Sequence, residues 1–215
     1  MAAPPDVAVV DYGGGNLRSV AKALERSGAR AVVTGEPSDV RRADAVVLPG
    51  AGAFADAMAS LKAKGLDGAV RESIAAGVPY LGLCVGLQLL FEESDEHGRT
   101  AGLGLLPGRV ERFPERDAAG GLLRVPHMGW NEVRFSGRHP VLAGLPERDI
   151  FYFVHGYRAV PVREGDSVGR AAYGGEFTAA VAHENIFAVQ FHPEKSQDSG
   201  RRLLDEFVAW VGSCA

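Results

Sequence analysis

Cys84 is one of only two cysteines in the chain, and it stands in Gly82-Leu83-Cys84-Val85-Gly86. This is the cysteine counterpart of the G-x-S-x-G nucleophile elbow. Glycines two residues to either side let the main chain turn from strand to helix without a Cβ clash, which lifts the nucleophile out at the carboxyl edge of a sheet. Val78-Pro79-Tyr80-Leu81 supplies an apolar strand before it, and an amphipathic helix is expected to begin directly after it. A sulfur at that helix N-terminus sits in the positive end of the helix dipole, which favours thiolate over thiol. A cysteine in an apolar run also reads as a small buried hydrophobe. The chemistry therefore requires a base elsewhere in the chain.

Among six histidines, His192 is the one that follows a predicted buried strand, Ile186 to Phe191, and so should project at the sheet edge. Glu194 lies two residues on, where an extended segment would bring both side chains to one face and let the carboxylate hold the imidazole. Cysteine, histidine and carboxylate make up a nucleophile, its base and an orienting acid. His97, His139 and His183 read as loop residues. Acyl transfer also needs donors for a developing oxyanion. The main-chain N–H of Val85 and the loop Gly50-Ala51-Gly52 can supply them, although the same glycines also suit a tight strand-to-helix turn.

The elements that would position these groups follow from periodicity. Val7 to Val10, Ala31 to Thr34 and Ala45 to Leu48 are short apolar runs suited to strands buried on both faces. They alternate with helical patterns over Leu17 to Arg26 and Phe54 to Ala76, the latter broken near Gly65. After Leu90 the segments shorten and gain Gly and Pro. Strands are expected at Arg109 to Phe113, Asn131 to Phe135, Ile150 to Val154 and Ile186 to Phe191, and a closing helix over Ser199 to Val211. The predicted fold is α/β, a central mostly parallel sheet with helices on both faces and an additional antiparallel β portion in the C-terminal half. The 215 residues are expected to form a single domain, 1–215.

Composition narrows the function classes. A net charge of -4 argues against gripping nucleic acid by overall charge. The N-terminus lacks the basic and apolar regions of a signal peptide, no run is long enough to cross a membrane, and two cysteines do not make a disulfide framework. A cytoplasmic setting is expected, with no nucleic-acid or membrane partner. The Gly13-Gly14-Gly15 loop has neither dinucleotide nor P-loop spacing, and no cofactor or metal is expected.

Gly82-Leu83-Cys84-Val85-Gly86-Leu87-Gln88, taken with Gln190-Phe191-His192-Pro193-Glu194-Lys195-Ser196, resembles the signature of class I (triad) glutamine amidotransferases. Asp11 to Val20, Leu90 to Ser94, Val125 to Asn131 and Phe153 to Tyr157 further resemble the branch formed by the glutaminase subunits of imidazole glycerol phosphate synthases. The resemblance implies hydrolysis of glutamine through a cysteinyl thioester, with Cys84 as nucleophile, His192 as base and Glu194 as orienting acid. It implies Pro49-Gly50-Ala51-Gly52 as oxyanion strand, and Gly52, Gln88, Glu96 and Tyr157 as substrate contacts. It also implies a (β/α)8-barrel cyclase partner that receives the ammonia, met by Met128, Trp130 and Asn131, with Asn16 and Lys195 nearby. Trp130 and Met128 read equally well as core residues. Ala51 stands where valine is common in the family, and Gly156 where Ser or Thr is expected. The alternatives are the glutaminase of another synthase, a non-catalytic scaffold subunit of the same fold, and a partnerless cysteine hydrolase acting on peptides or esters.

Overall fold

The computed structural model describes residues 3–117 and 119–214. Five parallel strands form the centre of its sheet: β1 (Asp6–Val10), β2 (Arg30–Thr34), β3 (Ala45–Gly50), β4 (Tyr80–Cys84) and, from the end of the chain, β13 (Ile186–Val189). They lie in the order β2-β1-β3-β4-β13. Side chains alternate between two cores, as a two-residue period demands. Val7, Val9, Val47, Leu81 and Leu83 face α1 (Leu17–Arg26) and α6 (Gln197–Cys214), packing on Leu24, Leu203 and Phe207. Ala8, Val10, Val46, Leu48 and Tyr80 face α2 (Pro37–Arg42), α3 (Phe54–Ala63) and α4 (Leu66–Ala75), packing on Val40, Met58, Leu61 and Val70.

Beyond β13 the sheet turns antiparallel in all pairs but one. The remaining strands are β5 (Phe91–Ser94), β6 (Thr100–Ala101), β7 (Leu106–Arg112), β8 (His127–Phe135), β9 (Arg148–His155), β10 (Tyr157–Pro161), β11 (Ser167–Ala172) and β12 (Glu176–His183). The path continues β13-β12-β10-β7-β5-β6, and a branch runs from β12 through β11 and β8 to β9. The α/β class with an antiparallel C-terminal portion is thus the architecture the periodicity predicts. Among the described residues no helix is long and apolar enough to cross a membrane.

Three local expectations need correction. The amphipathic helix after Cys84 is one turn, α5 (Val85–Gln88), with all four residues buried. Gly86 is a poor helix former, and Leu87, Leu89, Leu90 and Phe91 are each fully buried, so the segment has no polar face to present. His183 is no loop residue but the last residue of β12, its Nδ1 3.1 Å from Asp166 Oδ1, whereas His139 does lie in a loop, its ring stacked on Phe187 and edge-on to Trp210. The run Ile186 to Phe191 is a strand only to Val189; the chain then leaves the sheet to form the site.

The elbow depends on the contact between α5 and β3. A Cβ on Gly86 would lie 1.8 Å from the Leu48 carbonyl oxygen, and one on Gly82 2.6 Å from the Gly86 carbonyl oxygen. Both obstacles are main chain and cannot rotate away. Gly86→Ala is therefore expected to cost about 3 kcal/mol or more of stability by overpacking. Gly212→Ala, in the exposed last turn of α6 where a Cβ meets nothing within 4 Å, should leave stability unchanged or raise it by up to ~1 kcal/mol. Urea unfolding of the two variants checks both.

Candidate active site

Cys84 closes β4 with φ 54° and ψ -105°, a backbone that side-chain-bearing residues rarely adopt. This is the geometry of a nucleophile elbow. The sulfur-bearing residue is 4% exposed and lines a cavity of 220 Å³, which it shares with Gln88, Glu96, Tyr157, His192 and the Ala51–Gly52 peptide. Val85 opens α5, where its N–H has no carbonyl a turn earlier to bond. It is available to an oxyanion at the sulfur.

His192 and Glu194 meet the cysteine from the other side. His192 Nδ1 lies 3.0 Å from Glu194 Oε1, and the two side chains are only 7% and 2% exposed. Their approach does not come from an extended segment. Pro193–Lys195 forms a single 3-10 turn with His192 as its extended N-cap, and proline at the first position presets that turn. The His192 N–H donates to the Tyr152 carbonyl at 3.0 Å, and Ser196 Oγ donates to the His192 carbonyl at 2.6 Å while accepting from the Tyr152 N–H at 3.0 Å. The ring is thereby fixed at both ends of its own residue. Nε2 is buried without a hydrogen-bond partner and is the nitrogen left for the sulfur. Burial disfavours a charged ring here, but the Cys84 sulfur and the Glu194 carboxylate outweigh it, and the His192 pKa is raised to about 10.

Glu96 lies in the cavity with one carboxylate oxygen already used. Its Oε2 accepts the Phe54 N–H at 2.7 Å, at the first residue of α3. The other oxygen is free to meet a ligand cation. Tyr157 stands beside it, its phenol pKa raised first by burial and then by the Glu96 charge. Gly156 lines the same wall; a Cβ there would meet only Val125 at 3.4 Å, so nothing replaces the hydroxyl that the family resemblance leads one to expect.

The five residues expected at an interface are not all brought together. Met128 and Trp130 are 63% and 50% exposed on one face of β8. Trp130 meets Tyr152 edge-on at 5.9 Å, and Lys195 Nζ lies 6.0 Å over the same Tyr152 ring, so an exposed path runs from Trp130 to the cavity rim. Asn16 is exposed at the start of α1, on the loop whose Gly15 packs against Gly50. Asn131 is one residue out of phase with Trp130 and faces the other side of β8, where its Nδ2 donates to the Ala172 carbonyl at 2.9 Å and meets His127 Nε2 at 3.3 Å.

Several site residues carry no role in the sequence reading. The Tyr12 hydroxyl is buried without a hydrogen bond and lies against the Gly50–Ala51 peptide. Burial pushes its pKa up to about 12, against the Ala51 N–H, which lowers it, and with the Cys84 charge, which raises it. Gln190 and Ser196 flank the His192 turn and contact the sulfur and the His192 carbonyl, respectively. His155 lines the cavity and pairs with His127 at 3.0 Å. Its place two residues before His192 is the one signal the sequence holds for Gln190, whose approach to Cys84 comes only with the fold; for Tyr12 only the glycine run beside it marks the loop.

An elbow cysteine, a buried His–Glu pair and a carboxylate-walled cavity at the carboxyl edge of a parallel sheet define a class I glutamine amidotransferase, and the chain belongs to that family: the family model "Glutamine amidotransferase class-I" matches residues 8–210. Within it, the chain is 52% identical over 210 residues to the imidazole glycerol phosphate synthase subunit HisH of Nitrosospira multiformis, covering 95% of this chain and 98% of that one. It is 51% identical over 201 residues to the subunit of the same name from Moorella thermoacetica, covering 94% and 93%. A similar fold occurs in the structure of PurLQS from Thermotoga maritima, with a TM-score of 0.75 at 20% identity over 96% of this chain and 99% of that one.

The buried histidines give the site region a pH signature. Burial lowers the pKa of His127 and His139 to about 4 and of His155 to about 3. All three are neutral when folded and ordinary when unfolded. Their stabilisation is complete above pH 6.5 and is lost as pH falls through these lowered values. Between pH 6 and 5, where His192 is protonated in both states, unfolding should take up about three protons on their account, roughly 1 kcal/mol each. His139→Phe keeps a ring on Phe187 and removes one of them, so the fall in stability across that interval, measured by urea unfolding at each pH, should become about one third shallower.

Proposed function

We propose that this chain, a single domain over residues 1–215, hydrolyses glutamine with Cys84, His192 and Glu194 and passes the ammonia to a cyclase subunit. Its function is that of the glutaminase subunit of imidazole glycerol phosphate synthase in histidine biosynthesis, a reading supported by relatives about half identical over nearly the full length. The observation that carries the chemistry is the buried imidazole between Cys84 and Glu194.

Glutamine enters with its α-ammonium toward the free oxygen of Glu96 and its carboxamide toward Cys84. The proton shared by the pair sits on His192 Nε2, as its raised pKa favours, and Sγ attacks the amide carbon. Negative charge moves to the carbonyl oxygen, which the Val85 N–H and the Gly50-Ala51-Gly52 loop receive. His192 Nε2–H then protonates the departing nitrogen, the C–N bond breaks and ammonia leaves a thioester on Cys84. Water, deprotonated by the same nitrogen, attacks the thioester; the C–S bond breaks, glutamate leaves and the sulfur is restored. Glu194 holds the ring in the orientation that exposes Nε2 throughout. Gln88, Tyr157 and Gly52 complete the pocket.

The ammonia must leave without meeting bulk water, which requires a covered exit. Met128 and Trp130, with Lys195 and Asn16 at the rim, suit a docking face for a (β/α)8-barrel cyclase, exposed aromatic and thioether side chains being common anchors. The setting for this pathway is the cytoplasm. A scaffold without turnover has no use for a complete and buried triad, and the relatives named above disfavour another synthase.

Glutamate release by the chain, alone and with the cyclase and its nucleotide, tests the proposal. Cys84→Ala and His192→Ala should abolish it, and Glu194→Gln should lower it by about 10²–10⁴-fold, while ammonia-dependent cyclisation by the complex persists in all three. Undiminished glutamate release by Cys84→Ala would remove the triad from the mechanism.

A further inference from the structure

Gln190 is fully buried and takes no part in the steps above. Its Nε2 lies 3.6 Å from Cys84 Sγ, and its Oε1 is 3.1 Å from Gln88 Nε2. Which end of this amide faces the sulfur is settled by a group that cannot turn round. The Tyr157 carbonyl only accepts, and Gln88 approaches it at 3.2 Å, so Gln88 presents its NH₂ there. The second hydrogen of the same nitrogen goes to Gln190. Gln190 therefore shows oxygen to Gln88 and N–H to sulfur; the reverse would set two NH₂ groups against each other.

The Tyr157 carbonyl is itself pinned from behind. His155 Nδ1 lies 2.8 Å from it and must donate, which leaves His155 Nε2 as an acceptor for His127 Nδ1–H at 3.0 Å. His127 Nε2 then accepts from Asn131 at 3.3 Å, and the other Asn131 hydrogen goes to the Ala172 carbonyl. Every role along the chain from Ala172 to Cys84 is forced, and it holds while both rings are neutral, as their burial ensures. A hydrogen bond to a charged sulfur is stronger than one to a neutral thiol, and more so in a dry site.

We propose that Gln190 is a further catalytic residue, donating a hydrogen bond that stabilises the Cys84 thiolate, with Gln88, His155, His127 and Asn131 as the positioning residues that fix its orientation. The inference rests on Cys84 being the nucleophile of the proposed glutaminase. The donor serves twice: it favours the attacking thiolate, and it stabilises the same thiolate when the thioester breaks.

The test is the pH dependence of Cys84 alkylation by iodoacetamide in the full chain carrying Cys214→Ser, which leaves one thiol. Gln190→Met should raise the alkylation midpoint by about one pH unit or more. Gln88→Met, which frees the Gln190 amide to turn, should move it the same way by less, and it carries the test if circular dichroism shows Gln190→Met unfolded. A midpoint within about 0.3 pH unit of the parent in the folded variants would overturn the proposal. Alkylation needs no glutamine, so the two readings fail separately. A shifted midpoint in a chain that never hydrolyses glutamine with its partner sinks the glutaminase alone, and an unshifted one beside normal hydrolysis sinks the Gln190 donor alone.

Discussion

The contact on which the rest of this molecule depends is main chain against main chain, where the first turn after Cys84 rests on β3. No side chain fits between Gly86 and the Leu48 carbonyl, and the Tyr80 hydroxyl closes the same space by donating to the Gly86 carbonyl at 2.8 Å. Because the two segments are pressed together, β4 cannot run on as a strand and must turn at Cys84. The sulfur is then delivered between the end of β3, which leads into the Gly50-Ala51-Gly52 loop, and the end of β13, which leads to His192. Three parallel strands thus converge their carboxyl ends on one cavity, the ordinary placement of a ligand site in such sheets.

Four histidines share this half of the molecule and meet opposite electrostatic fates. His127, His139 and His155 are buried without an anionic partner and stay neutral. His192 is buried as well, yet the cysteine sulfur and Glu194 hold it protonated. Its raised pKa contributes stability that is complete below pH 6.5 and is lost as pH rises through about 10, the reverse of its three neighbours. Burial alone sets no protonation state; the partner does. The neutral rings can therefore serve as fixed donors and acceptors, while the charged one carries a proton into the cavity.

The parallel half was legible because each of its strands is a continuous apolar run with helical spacing between, and the elbow because two glycines flank a cysteine at a strand end. The antiparallel half was less so. β5, β6 and β10 are short, and the Ala and Gly of Ser167–Ala172 and the alanines of Glu176–His183 carry little strand signal. Helix α2 escaped notice although Pro37 stands at its first turn. The His192–Glu194 pairing was legible in composition but not in conformation, since a proline between them makes a turn from what reads as an extension. Asn131 fell in with its neighbours in sequence, whereas a two-residue period separates it from Met128 and Trp130. The direction of the Gln190 amide has no counterpart in sequence at all, being set by a carbonyl 33 positions away, at Tyr157.

Cys84 holds a left-handed backbone at the cost of about 1–3 kcal/mol, a strain that only glycine would escape. Glycine would relieve the strain and remove the sulfur together, so at this position the most stable residue and the one that gives the cavity its thiol are different residues. Selection of this chain for stability alone would therefore favour Cys84→Gly and return a sturdier fold whose cavity holds no thiol.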